Sequence, residues 1–178
     1  MPTFSESLPA LVGVALGAAG AMTSSLLTDR LRWRRDQNVR WDQRRLEAYT
    51  TFAATLKEIT GLGFRLSAAD RADSHSIPIE RELGLQELAA ANVRKTKDWE
   101  SLLLLGDELT VAAAREWRDA TRAFERQARA EVPDPAEWQQ RVDLMNEARD
   151  GFYLAARRSL GIGGGSVEQF PHLPRLAP

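Results

Sequence analysis

Residues 7–28 carry no charge, and four arginines, Arg30, Arg32, Arg34 and Arg35, follow within the next seven positions. A helix of twenty-two uncharged residues, at about 1.5 Å per residue, reaches across a bilayer hydrocarbon core of roughly 30 Å. Leu8, Leu11, Val12, Val14, Leu16, Leu26 and Leu27 are its strongly apolar positions. Each favours insertion at the membrane centre by about 0.3 to 0.6 kcal/mol. Gly13, Gly17, Gly20, Thr23, Ser24 and Ser25 weaken the helix or carry polar groups, so the expected span is of moderate strength.

The flanks set its direction. Residues 1–6 hold no lysine or arginine, whereas the C-terminal flank is strongly basic, and basic residues stay on the cytoplasmic side. The expected location is therefore the cell membrane, single-pass, with the N-terminus outside and the C-terminal body cytoplasmic. A cleaved signal peptide is the competing reading, since Ala19-Gly20-Ala21 is an acceptable cleavage pattern. It lacks a basic n-region, and arginines directly after a cleavage site oppose export. Gly13 and Gly17, then Gly20 and Ser24, are small pairs at four-residue spacing that let two membrane helices approach closely. They are the candidate helix-association positions, although an alanine- and glycine-rich span produces such pairs by composition alone.

The net charge of -1 conceals a basic collar: residues 29–45 hold seven arginines and three aspartates. The chain contains no cysteine, which removes disulfides, thiolate nucleophiles and thiolate metal sites together. Its basic residues are 21 Arg and 3 Lys, most simply a GC-rich coding bias.

Beyond residue 45 the apolar spacing becomes helical. Leu46, Tyr49, Ala53 and Leu56 recur at threes and fours, and no proline interrupts residues 29–69. The polar stretch 70–78, closed by Pro78, is the first connection. A second helix is expected over 79–105 with Leu85, Leu88, Ala89, Val93, Trp99 and Leu103 inward, ended by Gly106 and followed by Asp107 as the next N-cap. A third covers 108–130 with Leu109, Ala113, Trp117, Ala120, Phe124 and Ala128 on one face. Asp134, Pro135 and Glu137 supply an N-cap, a preset first helical residue and a capping-box acid for the fourth, which Gly161 closes. Short connections make consecutive helices antiparallel. The expected fold is all-α: an N-terminal tail and one transmembrane helix (1–28), a basic juxtamembrane stalk (29–45), an antiparallel cytosolic helical bundle (46–161) and a flexible glycine- and proline-rich tail (162–178).

Arg30, Arg32, Trp33, Arg34, Arg35, Arg40, Trp41, Arg44 and Arg45 form an interleaved arginine and tryptophan set. Guanidinium groups neutralise phosphates and indoles stack on bases, so this set suits nucleic acid. It suits anionic lipid headgroups at the end of a span better. Trp99, Trp117 and Trp138 lie on apolar faces and are expected as core rather than as a ligand cage. His75 and His172 have no ligand partners at useful spacing, and Asp143, Glu147 and Asp150 sit among arginines as a solvated face. Gly161-Ile162-Gly163-Gly164-Gly165-Ser166 has the glycine content of a phosphate loop without its lysine. No catalytic, cofactor-binding or metal-binding residue is assigned, and no cofactor is expected.

Thr28-Asp29-Arg30-Leu31-Arg32-Trp33-Arg34-Arg35 after an alanine- and glycine-rich span, followed by Trp41-Asp42-Gln43-Arg44-Arg45-Leu46-Glu47-Ala48-Tyr49, resembles single-span helical membrane proteins of actinomycetes of the KilB type, known for plasmid spread in Streptomyces. The resemblance extends more loosely to residues 102–114. It implies an accessory role in passing a conjugative plasmid between hyphal compartments. Residues and resemblance together lead to the expectation of a noncatalytic, membrane-anchored helical adaptor that binds a protein partner or a second copy of itself. A membrane-tethered nucleic-acid-binding protein using the stalk is the alternative.

Overall fold

The structure is a computed structural model that describes residues 40–71, 74–130 and 134–163. The expected span, and with it Gly13, Gly17, Gly20 and Ser24, lies outside the described residues, as do Arg30, Arg32, Trp33, Arg34 and Arg35. The chain divides into two compact units, residues 1–43 and 44–178. Of the first, residues 40–43 are described, and they are helical.

The second unit is all-helical among its described residues. Helix α1 is continuous over the described residues 40–66, of which 44–66 belong to this unit; α2 is Arg81–Leu105, α3 Glu108–Ala128 and α4 Pro135–Ser159. No described helix is long and apolar enough to cross a membrane.

Local chemistry sets the helix boundaries. The Glu80 carboxylate accepts the amides of Glu82 at 2.9 Å and Leu83 at 2.7 Å, starting α2 two residues later than the expected position 79. Those backbone N–H groups also hold the carboxyl below the usual glutamate range. Asp107 accepts the Thr110 amide at 2.8 Å to start α3, and Asp134 accepts the Ala136 amide at 2.8 Å to start α4, with Pro135 in the first turn. Asp134 also accepts the Glu137 amide at 3.3 Å, one half of the expected capping box, while the Glu137 carboxylate pairs with Arg141 at 3.0 Å. At the far end of α4, Gly161 adopts φ 68°, and its amide and that of Ile162 return to the carbonyls of Arg158 and Arg157. This is a Schellman closure, which needs the left-handed backbone that glycine accepts without strain.

Pairings between helices establish an up-down-up-down order. Along α1 and α2 the partners run oppositely, from Arg45 with Leu105 to Glu58 with Arg94. Asn92 with Glu125 and Trp99 with Arg118 make α2 and α3 antiparallel. Phe124 with Trp138 and Trp117 with Phe152 do the same for α3 and α4. Tyr49 with Phe152 and Phe64 with Trp138 bring α4 back along α1.

The interior is aromatic. Phe52, Trp117 and Phe152 meet at centroid separations of 5.4 to 6.1 Å around one level of the bundle. Phe64, Phe124 and Trp138 form a second level at 4.8 to 5.7 Å. Tilted and edge-on rings add to the gain from burying their area. At this second level α1 and α3 approach closely through Gly63, where a Cβ would lie 2.5 Å from Phe124 Cε1. Trp117 and Trp138 are buried and Trp99 is half-buried, which places all three in or against the core, as expected.

Helix α2 keeps Leu85, Leu88 and Trp99 in or against the core as expected but departs from the expected register elsewhere. Its buried residues are Gly84, Leu88, Ala91, Lys95 and Leu102, while Val93 is 73% exposed and Ala89 and Leu103 also face outward. Two contacts explain the rotation. A Cβ at Gly84 would lie 2.6 Å from Leu66 Cδ2, so α2 lies against α1 on its side without a side chain. Farther along, Asn92 and Lys95 are drawn to Glu125, which turns the polar edge of α2 toward α3. Leu109, expected inside, is 72% exposed, and burial in α1 begins at Ala48 and Tyr49 rather than Leu46.

Candidate interaction surfaces

One end of the bundle gathers the start of α1, the α2–α3 turn and the end of α4. There Arg45 Nε donates to the Leu105 carbonyl at 3.0 Å, satisfying an oxygen that the end of α2 leaves open. The Tyr49 and Ser159 hydroxyls are 3.0 Å apart, tying α1 to α4. Burial pushes the Asp107 carboxyl up, but hydrogen bonds from Ser159 and the Thr110 amide, with the positive charge of Arg45, outweigh it and hold the group below the usual aspartate range.

This polar frame is surrounded by apolar side chains that the bundle does not cover. Leu104 is 85% exposed, and Leu46, Leu103, Leu109, Leu154 and Ile162 are exposed on the same end or within about two turns of it. Leu109 and Leu154 face each other across a cleft of about 340 Å³ that also contains Asp107 and Arg158. Several large exposed apolar side chains around one end are more than scattered surface leucines require.

A second surface is the groove between α1 and α4, about 330 Å³ in volume. Ala53, Ala156 and the buried Phe152 form its floor, Leu46 and Ile162 close one end, and Lys57 stands over the Tyr153 ring at 5.6 Å.

Between α2 and α3 lies a polar network. Asn92 Nδ2 donates to Glu125 Oε1 at 3.0 Å, Arg129 reaches the same oxygen at 2.7 Å, and Lys95 Nζ donates to Asn92 Oδ1. Burial pushes the Lys95 ammonium below the ordinary lysine value; Glu125 opposes this, while Arg122, Arg118 and Arg129 add to it. Sequence reasoning missed this network because Lys95 and Glu125 look like ordinary surface charges on amphipathic helices. Only the four-residue spacing of Glu125 and Arg129 hinted at any part of it.

Of the interleaved arginine and tryptophan set, Arg44 and Arg45 belong to the second unit, Arg44 exposed and Arg45 half-buried; Arg40 and Trp41 belong to the first and are exposed. Among the described residues of this set, Arg45 is the one hydrogen-bonded into the polar frame, through the Leu105 carbonyl. Asp143 accepts from Gln139 at 2.9 Å and Asp150 meets Arg149 at 3.2 Å, while Glu147 is exposed on the α3–α4 side. His75 is exposed in the first connection. Among the described residues, no group of three or more His, Cys, Asp or Glu could hold a metal ion.

No protein-family model, curated protein or solved structure matches the chain.

Proposed function

We propose that this chain is a noncatalytic, single-pass membrane-anchored helical adaptor, its N-terminus outside and its bundle in the cytoplasm, binding a protein partner or a second copy of itself. In this reading residues 7–28 are the anchor, and Arg30, Arg32, Trp33, Arg34, Arg35, Arg40, Trp41 and Arg44 meet anionic headgroups. The biological setting, by the resemblance to KilB-type proteins, is the spread of a conjugative plasmid. Supporting the anchor is the uncharged run and its arginine flank. The observation that carries the adaptor reading is the set of exposed leucines, Leu104 and Leu109 foremost, at the end of the bundle where the chain enters from its basic segment. Their exposure costs solvation without serving the core, as a contact surface for another protein would.

The test is fractionation of cells carrying the chain with a C-terminal reporter, followed by alkaline carbonate extraction. Retention of the intact chain in membranes with a cytoplasmic reporter is the expected result. Release by carbonate, or a shortened product outside the cell, overturns the anchor. DNA binding that falls steeply with salt and disappears when the arginines of residues 30–45 are neutralised replaces the adaptor with the nucleic-acid reading.

A further inference from the structure

The α1–α4 groove has a ready occupant in the chain's own continuation. Its lining includes Leu160 and Ile162, and the described chain ends one residue later, at Gly163. The Schellman closure sets the direction in which the chain leaves: the Ile162 amide is held by the Arg157 carbonyl at 2.9 Å, and the Ile162 side chain itself lines the groove. The last described residues therefore stand at one end of this apolar groove.

The sequence beyond that point has the composition to fill it. Gly163, Gly164, Gly165 and Ser166 carry no bulky side chain, and Val167, Phe170 and Leu173 follow at three-residue spacing in the sequence. The reach is sufficient. Leu46 and Lys57, at opposite ends of the groove on α1, are eleven residues apart, roughly 16 Å along a helix. Seven residues from Gly163 to Phe170 extend up to about 23 Å.

The groove has the matching character. Its floor of Ala53, Ala156 and the face of Phe152 leaves space where larger side chains would have closed the α1–α4 seam. Its rim carries the basic residues Lys57 and Arg157, and the segment that would lie along it carries Glu168. Covalent attachment through a short tether gives such a segment an effective concentration on the order of millimolar.

We propose that residues 167–173, with Phe170 as the anchoring side chain, dock into the α1–α4 groove of the same chain and cover it until a competing partner displaces them. The docking itself needs neither the membrane anchor nor a plasmid setting. In the adaptor reading it makes the groove a regulated surface distinct from the exposed leucines of the bundle end.

The chain has no native cysteine, so a single Ala54→Cys substitution on the exposed wall of the groove reports its coverage by the rate of maleimide labelling in the full chain. With the natural tail, labelling should be slow and independent of protein concentration. Adding Phe170→Asp should speed it roughly fivefold or more, whereas Phe170→Leu should keep the protection. Leu83→Cys, at the opposite end of the bundle, should label equally in all backgrounds. Equal rates at Ala54→Cys with and without Phe170→Asp overturn the proposal. So does protection that survives Phe170→Asp and fades on dilution, which assigns the groove to a second copy. A rise at Leu83→Cys together with Ala54→Cys traces the effect to loosening of the bundle and also overturns it. Membrane retention is unaffected by any of these substitutions, so failure here and failure of the anchor reading are told apart.

Discussion

Arg45 and Leu105 are sixty residues apart in sequence, and a 3.0 Å hydrogen bond from the Arg45 Nε to the Leu105 carbonyl joins α1 to the last turn of α2. A helix end leaves its last carbonyls without intrahelical partners, and α2 has no basic residue of its own in its last turn. Arg45 therefore acts across the bundle as the C-terminal cation that α2 lacks. Arg45→Gln should lower stability by about 1 kcal/mol, the net worth of one such bond. Urea unfolding that shifts the midpoint without changing the slope is the check.

Asp107 separates a cap from a charge. As N-cap of α3 it accepts the Thr110 amide, so Asp107→Ala should cost about 1 kcal/mol, while Asp107→Asn keeps most of the cap. The folded carboxyl lies below its ordinary value, so its contribution is present above the unfolded pKa and is lost as pH falls through the folded pKa. Asp107→Asn should therefore match the parent in acid and fall behind it near neutrality. Thermal midpoints measured from pH 3 to pH 7 decide this; parallel curves for the two proteins would contradict it.

Gly61 and Gly63 lie in the same helix and predict opposite outcomes for the same change. A Cβ at Gly61 meets nothing within 4 Å, so Gly61→Ala should gain about 0.5 to 1 kcal/mol from helix propensity. At Gly63 the Cβ would lie 2.5 Å from Phe124 Cε1 and 3.3 Å from the Ala128 Cβ. Phe124 is fully buried against Phe64 and Trp138 and has little room to move. Overpacking of about 1 to 3 kcal/mol should exceed the propensity gain, making Gly63→Ala destabilising. Thermal unfolding of the two variants side by side tests the sign of each.

These pairs also mark how far the fold was legible before the structure. Helix α3 was readable because its apolar stripe is backed by charged positions: Trp117, Phe124 and Ala128 are buried as their spacing implied, and Asp107 and Asp134 cap the helices they were expected to start. Helix α2 was legible only in part: Leu85, Leu88 and Trp99 lie in or against the core as expected, whereas Ala89, Val93 and Leu103 face outward and Gly84, Ala91 and Lys95 are buried in their place. The choice between these two sets rests on tertiary facts, the close approach of Leu66 to Gly84 and the pull of Glu125 on Asn92 and Lys95. The groove between α1 and α4 was invisible for a related reason. Ala53 and Ala156 read as ordinary members of apolar faces, and only side-by-side placement turns two small residues into a channel. Basic residues Arg44 and Arg45 were read as one set, yet only Arg45 turns inward, because a helix end waits within its reach.

The α2 register itself is testable at neighbouring leucines. Leu102 is fully buried in the core and Leu104 is 85% exposed. Leu102→Ala should cost about 2 to 5 kcal/mol. Leu104→Ser should stay within about 0.5 kcal/mol of the parent, as surface changes do. Had the sequence-based register with Leu103 inward been correct, Leu103→Ala would be the costly change of the three. Urea midpoints for Leu102→Ala, Leu103→Ala and Leu104→Ser rank the positions directly.

Lys95 provides the alkaline counterpart to Asp107. Its folded pKa is depressed, first by burial, so the ammonium is less favourable in the native state than in the unfolded chain. Between the folded pKa and the unfolded value of about 10.4 the unfolded chain binds more protons, and stability should rise with pH in that window. Glu125 keeps Arg129 and Asn92 as partners when the lysine is removed. Lys95→Met therefore takes a buried cation out without leaving its carboxylate alone, and should be neutral or stabilising at pH 7 rather than showing the loss of about 3 to 5 kcal/mol expected when a buried pair is broken. The variant should also lose the alkaline rise, so the parent gains stability relative to it as pH climbs through the window. Chemical denaturation at pH 7, 9 and 10 measures both effects; a large loss at pH 7 would mean that Glu125 depends on Lys95 and not on Arg129.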